Sequence, residues 1–222
     1  MKIHSLFTES FIFLIILSFF ILPPVITSTT GLVLSDIQIT QWTFPFNQFT
    51  MALFASLILL FYSKLKNIKK NILGFRIFLT TGLLFTSYFF LNFLSLVIPS
   101  VDSHKYIQFS KPATFITWLF CILNFLFSAF YEEVIYRFYF TDTLISILTQ
   151  INDFFKKKTF KIICEIIGCI LFALAHKYLG FFAILNAAIA HFILRFSYKK
   201  ANSIIPGVIA HFSYNMISLI LL

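Results

Sequence analysis

The chain has 222 residues, of which 59% are hydrophobic and only 11% charged, against roughly 25% charged in a soluble domain. A water-soluble protein of this size cannot hide that much apolar surface, so the composition excludes a soluble globular class and assigns the chain to lipid. Its net charge of +9 does not point to nucleic acid, because no basic face with interleaved aromatics stands outside the apolar runs.

Residues 1–22 combine Lys2 with an apolar core, which invites a signal-peptide reading. The apolar stretch continues past Pro23-Pro24 without a small-residue cleavage site, and so predicts a first membrane helix instead. Crossing the hydrocarbon core takes about 20 apolar residues. Runs of that kind fall at 10–34, 44–63, 75–98, 114–134, 162–177, 179–197 and 203–222. Segment 135–151 is too apolar for a solvated loop and reads as a re-entrant or interfacial helix, or as a short eighth span. The expected fold is therefore all-α: a polytopic transmembrane helical bundle of about 7–8 helices. With no Gly/Ser linker, low-complexity tract or internal repeat, residues 1–222 form a single membrane domain.

Basic residues cluster between the runs: Lys64, Lys66, Lys69, Lys70 and Arg76; Lys156, Lys157, Lys158 and Lys161; Arg195, Lys199 and Lys200. Seven crossings put these clusters and Lys2 on one side, and leave Lys105, Lys111 and Lys177 on the other. The positive-inside rule then predicts a cytoplasmic N-terminus. Cys121, Cys164 and Cys169 lie within apolar runs, unpaired by any motif, and read as core or lipid-facing residues.

Ionisable groups within membrane helices cost roughly 2.5–3.5 kcal/mol or more each at the centre, which makes them functional candidates by default. In the stretch 130–138, Glu133 and Arg137 are four apart and share a helical face, while Glu132 points about 100° away. Arg137 can hold Glu133 ionised, leaving Glu132 unpaired with a pKa that burial would raise, as a general base requires. The alternative is a structural ion network near the cytoplasmic interface. His176 closes an apolar run, where an interfacial role competes with a functional one. His211 and Asn215 are four apart, with Gly207 and Ser218 on nearly the same stripe, so that face offers an imidazole and an amide, or a polar seam for packing. His191 reads as a helix-packing hydrogen bonder, and Glu165, near the lysine-rich start of its span, as interfacial.

Taken in order, Glu132-Glu133-Val134-Ile135-Tyr136-Arg137, then Phe172-Ala173-Leu174-Ala175-His176, then His211-Phe212-Ser213-Tyr214-Asn215 resemble the CPBP family. That family comprises type II CAAX-prenyl endopeptidases and Abi bacteriocin-processing and immunity proteins. Its pattern is Glu-Glu-x-x-x-Arg, Phe-x-x-x-His and His-x-x-x-Asn or Asp, each on a membrane helix. The resemblance covers 114–222 as a catalytic core, with 1–113 as variable N-terminal helices. Phe138 departs from the Gly that family members often carry after the Arg, and this bears on the shape of the substrate channel.

The resemblance implies an intramembrane endopeptidase. Glu132 would activate a water with the help of His176, His211 and Asn215 would bind the oxyanion or the water, and Glu133 and Arg137 would support the site. Glu132, His176 and His211 also match a three-ligand zinc set with an open position. A metal-free glutamate mechanism and a metal-dependent one therefore both stand. The implied partners are a peptide or membrane-protein substrate and the lipid bilayer, with no nucleic acid, in the plasma membrane of a prokaryote. Two other readings compete: a non-catalytic scaffold or immunity protein of the same fold, and a proton-coupled transporter. The spans themselves carry a tension. His176 lies roughly 22 Å into its helix and His211 about 12 Å into its own, so a shared site needs the fifth helix to start below the membrane surface or to tilt.

Overall fold

A computed structural model describes residues 6–27, 42–66, 74–98 and 110–221; the expected outer loops around 36–41 and 102–108 lie outside them. The described residues are mostly helical and include no strand. In chain order the α-helices are α1 (Leu6–Ile16), α2 (Leu22–Thr27), α3 (Phe46–Lys66), α4 (Gly74–Val97), α5 (Phe115–Glu132), α6 (Thr141–Ile151), α7 (Lys158–Ala175), α8 (Phe181–Ala201) and α9 (Ile205–Leu221).

Two π-helical segments interrupt this order, and each has a local cause or consequence. The first, Leu17–Ile21, links α1 to α2 just before Pro23-Pro24. Pro24 has no N–H to offer the carbonyl of Phe20, and the Tyr131 hydroxyl donates to that carbonyl instead, at 3.0 Å. The second, Glu133–Phe140, joins α5 to α6, so that Phe115–Ile151 is one continuous 37-residue helical stretch. This corrects the expectation that 135–151 is a separate re-entrant or surface helix. Its start is set by a capping box, in which Thr114 Oγ1 accepts from the Thr117 N–H and Thr117 Oγ1 from the Thr114 N–H.

All eight residues of the second π segment are buried. Val134, Ile135, Tyr136, Phe138, Tyr139 and Phe140 join one core with Phe13, Ile16, Ala55, Tyr62, Phe172 and Tyr198. A helix buried on every side must lie at the centre of its bundle. The periphery is inverted relative to a soluble protein, for Phe7, Phe11, Phe19, Phe75, Phe78, Phe93 and Phe115 all point outward. Among the described residues, four helical stretches are long and apolar enough to cross a membrane: Leu6–Ile26, Gly74–Val97, Phe115–Ile151 and Phe181–Ala201. Phe46–Tyr62 and Ile205–Leu221 are shorter apolar helices. The seven to eight spans expected from hydropathy are thus not all matched by helices of spanning length; α7 carries Lys158, Lys161 and Glu165 in its first half.

Contacts sort the helix ends into two groups. Gln150 Nε2 donates to Glu9 Oε2 at 2.9 Å, Thr80 Oγ1 to Ser197 Oγ at 2.9 Å, and Lys199 Nζ to Glu165 Oε1 at 2.5 Å. These bonds join the starts of α1 and α4 and the first half of α7 to the ends of α6 and α8. In the second group, Trp42 Nε1 donates to Ser110 O at 2.8 Å, Lys111 Nζ to Ile220 O at 2.9 Å, and Lys177 Nζ to Val25 O at 2.5 Å. Arg195, Lys199 and Lys200 do not sit in a loop, as the charge clusters suggested; all three lie in the last third of α8, Lys199 and Lys200 exposed and Arg195 buried.

Candidate active site

Glu132 is the last residue of α5 and Glu133 the first of the π segment, so the two neighbours straddle a change of helical geometry. Glu133 is fully buried. Its Oε1 lies 3.1 Å from His211 Nδ1 and 3.5 Å from Arg137 Nε. Its Oε2 has no hydrogen-bond partner among the described residues. A Cβ added to Gly207 would stand 2.6 Å from that Oε2. Without a Cβ at this position α9 lies close against the Glu133 side chain, and His211 follows one turn further on.

Glu132 is held more loosely. Its side chain is 20% exposed, and its Oε2 lies 3.9 Å from His211 Nε2, beyond direct hydrogen-bond reach. The imidazole of His211 therefore spans the pair, Nδ1 on Glu133 and Nε2 toward Glu132. When Nδ1–H donates to the Glu133 carboxylate, the neutral ring presents the Nε2 lone pair to the Glu132 side.

Arg137 is fully buried, and Phe172 is its platform: the guanidinium carbon sits 3.9 Å from the ring centroid, a cation–π contact. The same ring lies 5.0 Å from Tyr136, 4.6 Å from His176 and 5.6 Å from His191. The Phe of the second motif thus carries the Arg of the first. His176 ends α7 with its Nδ1 2.9 Å from the Phe172 carbonyl, leaving Nε2 as its outward nitrogen. It makes no hydrogen bond to Glu132, Glu133 or His211, and its connection to them runs through Phe172 and Arg137. Asn215 follows His211 by one turn of α9, half-buried, with no side-chain hydrogen bond to another described residue.

The difference in depth between His176 and His211 bears on the starts of α7 and α9. Lys158, Thr159 and Lys161 are exposed. By contrast, Ser203, Ile204 and Pro206, in the turn into α9 and its first residues, are buried, so α9 begins inside the bundle and carries His211 to the glutamates.

The zinc set Glu132, His176 and His211 is not assembled. Among the described residues no three His, Cys, Asp or Glu side chains stand close enough together to hold a metal ion. His191 is not a hydrogen bonder either; it is 1% exposed, packs on Phe172 and Phe192, and neither ring nitrogen has a partner among the described residues. Cys121, Cys164 and Cys169 are free and buried.

Sequence reasoning missed a second charged cluster. Arg195 donates to Glu165 through Nε and Nη2, both at 2.9 Å, to Asp142 Oδ1 at 2.5 Å, and to the backbone carbonyl of Arg137. Asp142 was the available signal, being an acid in an apolar run without a basic residue within four positions.

Comparison with known proteins supplies one positive finding. The family model of the type II CAAX prenyl endopeptidases, Rce1-like, matches residues 114–217. No curated protein and no solved structure matches the chain. The matched segment includes the glutamate pair, Phe172-to-His176 and His211-to-Asn215, and with the four spanning helices it marks an integral membrane protein. Residues 114–217, just under half of the chain, thus match the Rce1-like family of type II CAAX prenyl endopeptidases, membrane proteases as a class.

Proposed function

We propose that this protein is an intramembrane endopeptidase with Glu132 as its general base. The observation that carries the reading is the inequality of the two glutamates: Glu133 is engaged by His211 and Arg137, while Glu132 faces His211 Nε2 across a 3.9 Å gap, its Oε2 without a hydrogen bond to a described residue. A water placed between Glu132 and His211 loses a proton to the carboxylate, and its oxygen attacks the scissile carbonyl carbon. The resulting oxyanion takes a donor from the Asn215 amide, in a dry site where it is worth more than in water, while His176, whose Nδ1–H goes to the Phe172 carbonyl, offers Nε2 as an acceptor to the attacking water. Collapse breaks the C–N bond, and Glu132 returns the proton to the departing amine. Glu133 fixes the orientation of His211, and Arg137 balances the charge of Glu133.

An apolar cavity of about 300 Å³ between α3 and α5 is lined by Phe49, Leu53, Phe130 and Val208 among others. Phe130 is two residues before Glu132 and Val208 is next to Gly207, so the cavity lies near the glutamates along the chain and would take an apolar part of the substrate. In this reading residues 114–222 are the catalytic core and 1–113 complete the membrane bundle. The end of the bundle bearing Lys156–Lys158 and Lys199–Lys200 faces the cytoplasm of a prokaryotic cell. Thiols introduced near residue 105 should be labelled from outside in intact cells, and thiols near residue 68 should not; the reverse pattern refutes this orientation.

The direct test is Glu132→Gln in purified protein. Peptide cleavage should fall by about 10²–10⁴, the usual contribution of a general base, with the melting temperature unchanged. Full activity in that variant ends the proposal.

A further inference from the structure

We infer that Arg195 is a positioning residue for the glutamate pair, acting on the backbone of the π segment through the carbonyl of Arg137. Arg195 is 3% exposed, and its guanidinium meets three separate elements: the π segment at the Arg137 carbonyl, α6 at Asp142 and α7 at Glu165. Lys199 completes the charge balance from the next turn of α8, 2.5 Å from Glu165.

Ion pairing alone does not call for the bond to a backbone carbonyl. Asp142 and Glu165 already supply two carboxylates to one guanidinium, and a Lys would satisfy them as a point charge. What a Lys cannot do is hold three acceptors in one plane, which a rigid fork of five N–H donors does. The third acceptor is also not an arbitrary carbonyl. It belongs to Arg137, whose side chain reaches Glu133 at 3.5 Å and stacks on Phe172. π-helical turns recur at functional sites and widen the local backbone. A clamp on this carbonyl fixes the backbone from which Arg137 rises, and so the place of Glu133 and of the His211 ring that Glu133 orients. Arg195 touches none of the reacting groups; its effect is transmitted.

The kinetic arm of the test rests on the proteolytic reading, and the exchange arm does not. Full-length protein in detergent is compared with Arg195→Lys, Glu165→Gln and Glu165→Asp for melting temperature, kcat and KM of peptide cleavage, and amide hydrogen exchange. Arg195→Lys keeps the charge and loses the fork. It should fold, lower kcat at least about tenfold with KM within about twofold, as misplacement by a fraction of an ångström does, and speed exchange of amides 134–141 while α8 keeps its protection. Glu165→Gln keeps length and loses charge, so it should lower the melting temperature and spare kcat per folded molecule. Glu165→Asp keeps charge and draws the fork back by one methylene, so it should lower kcat several-fold with little change in melting temperature. This variant decides the matter if Arg195→Lys fails to fold.

Wild-type kcat and protection in Arg195→Lys, or losses that track the folded fraction in every variant, overturn the inference. If the wild type cleaves nothing, the proteolytic reading fails, and exchange at 134–141 alone decides the role of Arg195.

Discussion

Two clusters of buried charge share the backbone of the π segment, and they differ in how completely they are bonded. Around Arg195, its guanidinium, Asp142 and Glu165 have protein partners across α6, α7 and α8. Around Arg137, Glu132 Oε2, Glu133 Oε2 and the Nε and Nη2 of Arg137 are buried without a hydrogen bond to a described residue. Leaving buried polar atoms unsatisfied costs about 1–3 kcal/mol each, and native proteins keep such atoms chiefly where chemistry needs them. The saturated cluster fixes three helices; the unsaturated one has bonding capacity left for a water and a substrate.

That contrast can be broken from either side. The largest expected effect is at the open glutamate: Glu132→Gln should lose activity by orders of magnitude and leave the fold intact. Glu133→Gln should fail differently. It leaves Arg137 buried without its charge partner, which costs about 3–5 kcal/mol, so melting temperature and activity should fall together. The double change Glu133→Gln with Arg137→Met should recover part of the stability. If Glu132→Gln unfolds the protein while Glu133→Gln stays folded and inert, the two roles are reversed.

Gly207→Ala ranks next. Its methyl would press on a buried carboxylate oxygen at 2.6 Å, and overpacking of this kind costs about 1–3 kcal/mol. Because the carboxylate is also the anchor of His211, activity should fall further than the folded fraction, and calorimetry beside cleavage assays on one preparation measures both. The smallest effect belongs to the rim of the saturated cluster. Lys199 is half exposed, so Lys199→Met should change stability by less than about 1 kcal/mol. A large loss of turnover there would show that the second cluster is not merely structural at its edge.

Much of the bundle was legible because lipid imposes one rule on a whole span: about 20 residues must be apolar. That rule located the apolar helices at 75–98 and 179–197 to within a few residues of α4 and α8. It misread 135–151 because it treats each apolar run as one crossing. The continuous stretch Phe115–Ile151 is longer than a bilayer needs, and its π segment is sheltered by protein rather than lipid. Arg195 was misplaced for a related reason. Charge clustering places a basic residue near water by its neighbours in sequence, whereas its acidic partners come from residues 142 and 165.

By itself the sequence determined the class, the three motifs and the facing of Glu133 and Arg137, since helical periodicity makes residues four apart neighbours whatever surrounds them. Only the tertiary structure decided which glutamate receives His211, because that choice depends on how closely α9 approaches the start of the π segment at Gly207. It likewise decided that His211 reaches the glutamates from a turn buried inside the bundle, and that Arg195 reaches the carbonyl of Arg137. Those contacts span tens of residues of chain, and no local spacing encodes them. They follow from the packing of whole helices, where one missing Cβ or one buried turn sets which polar atoms meet.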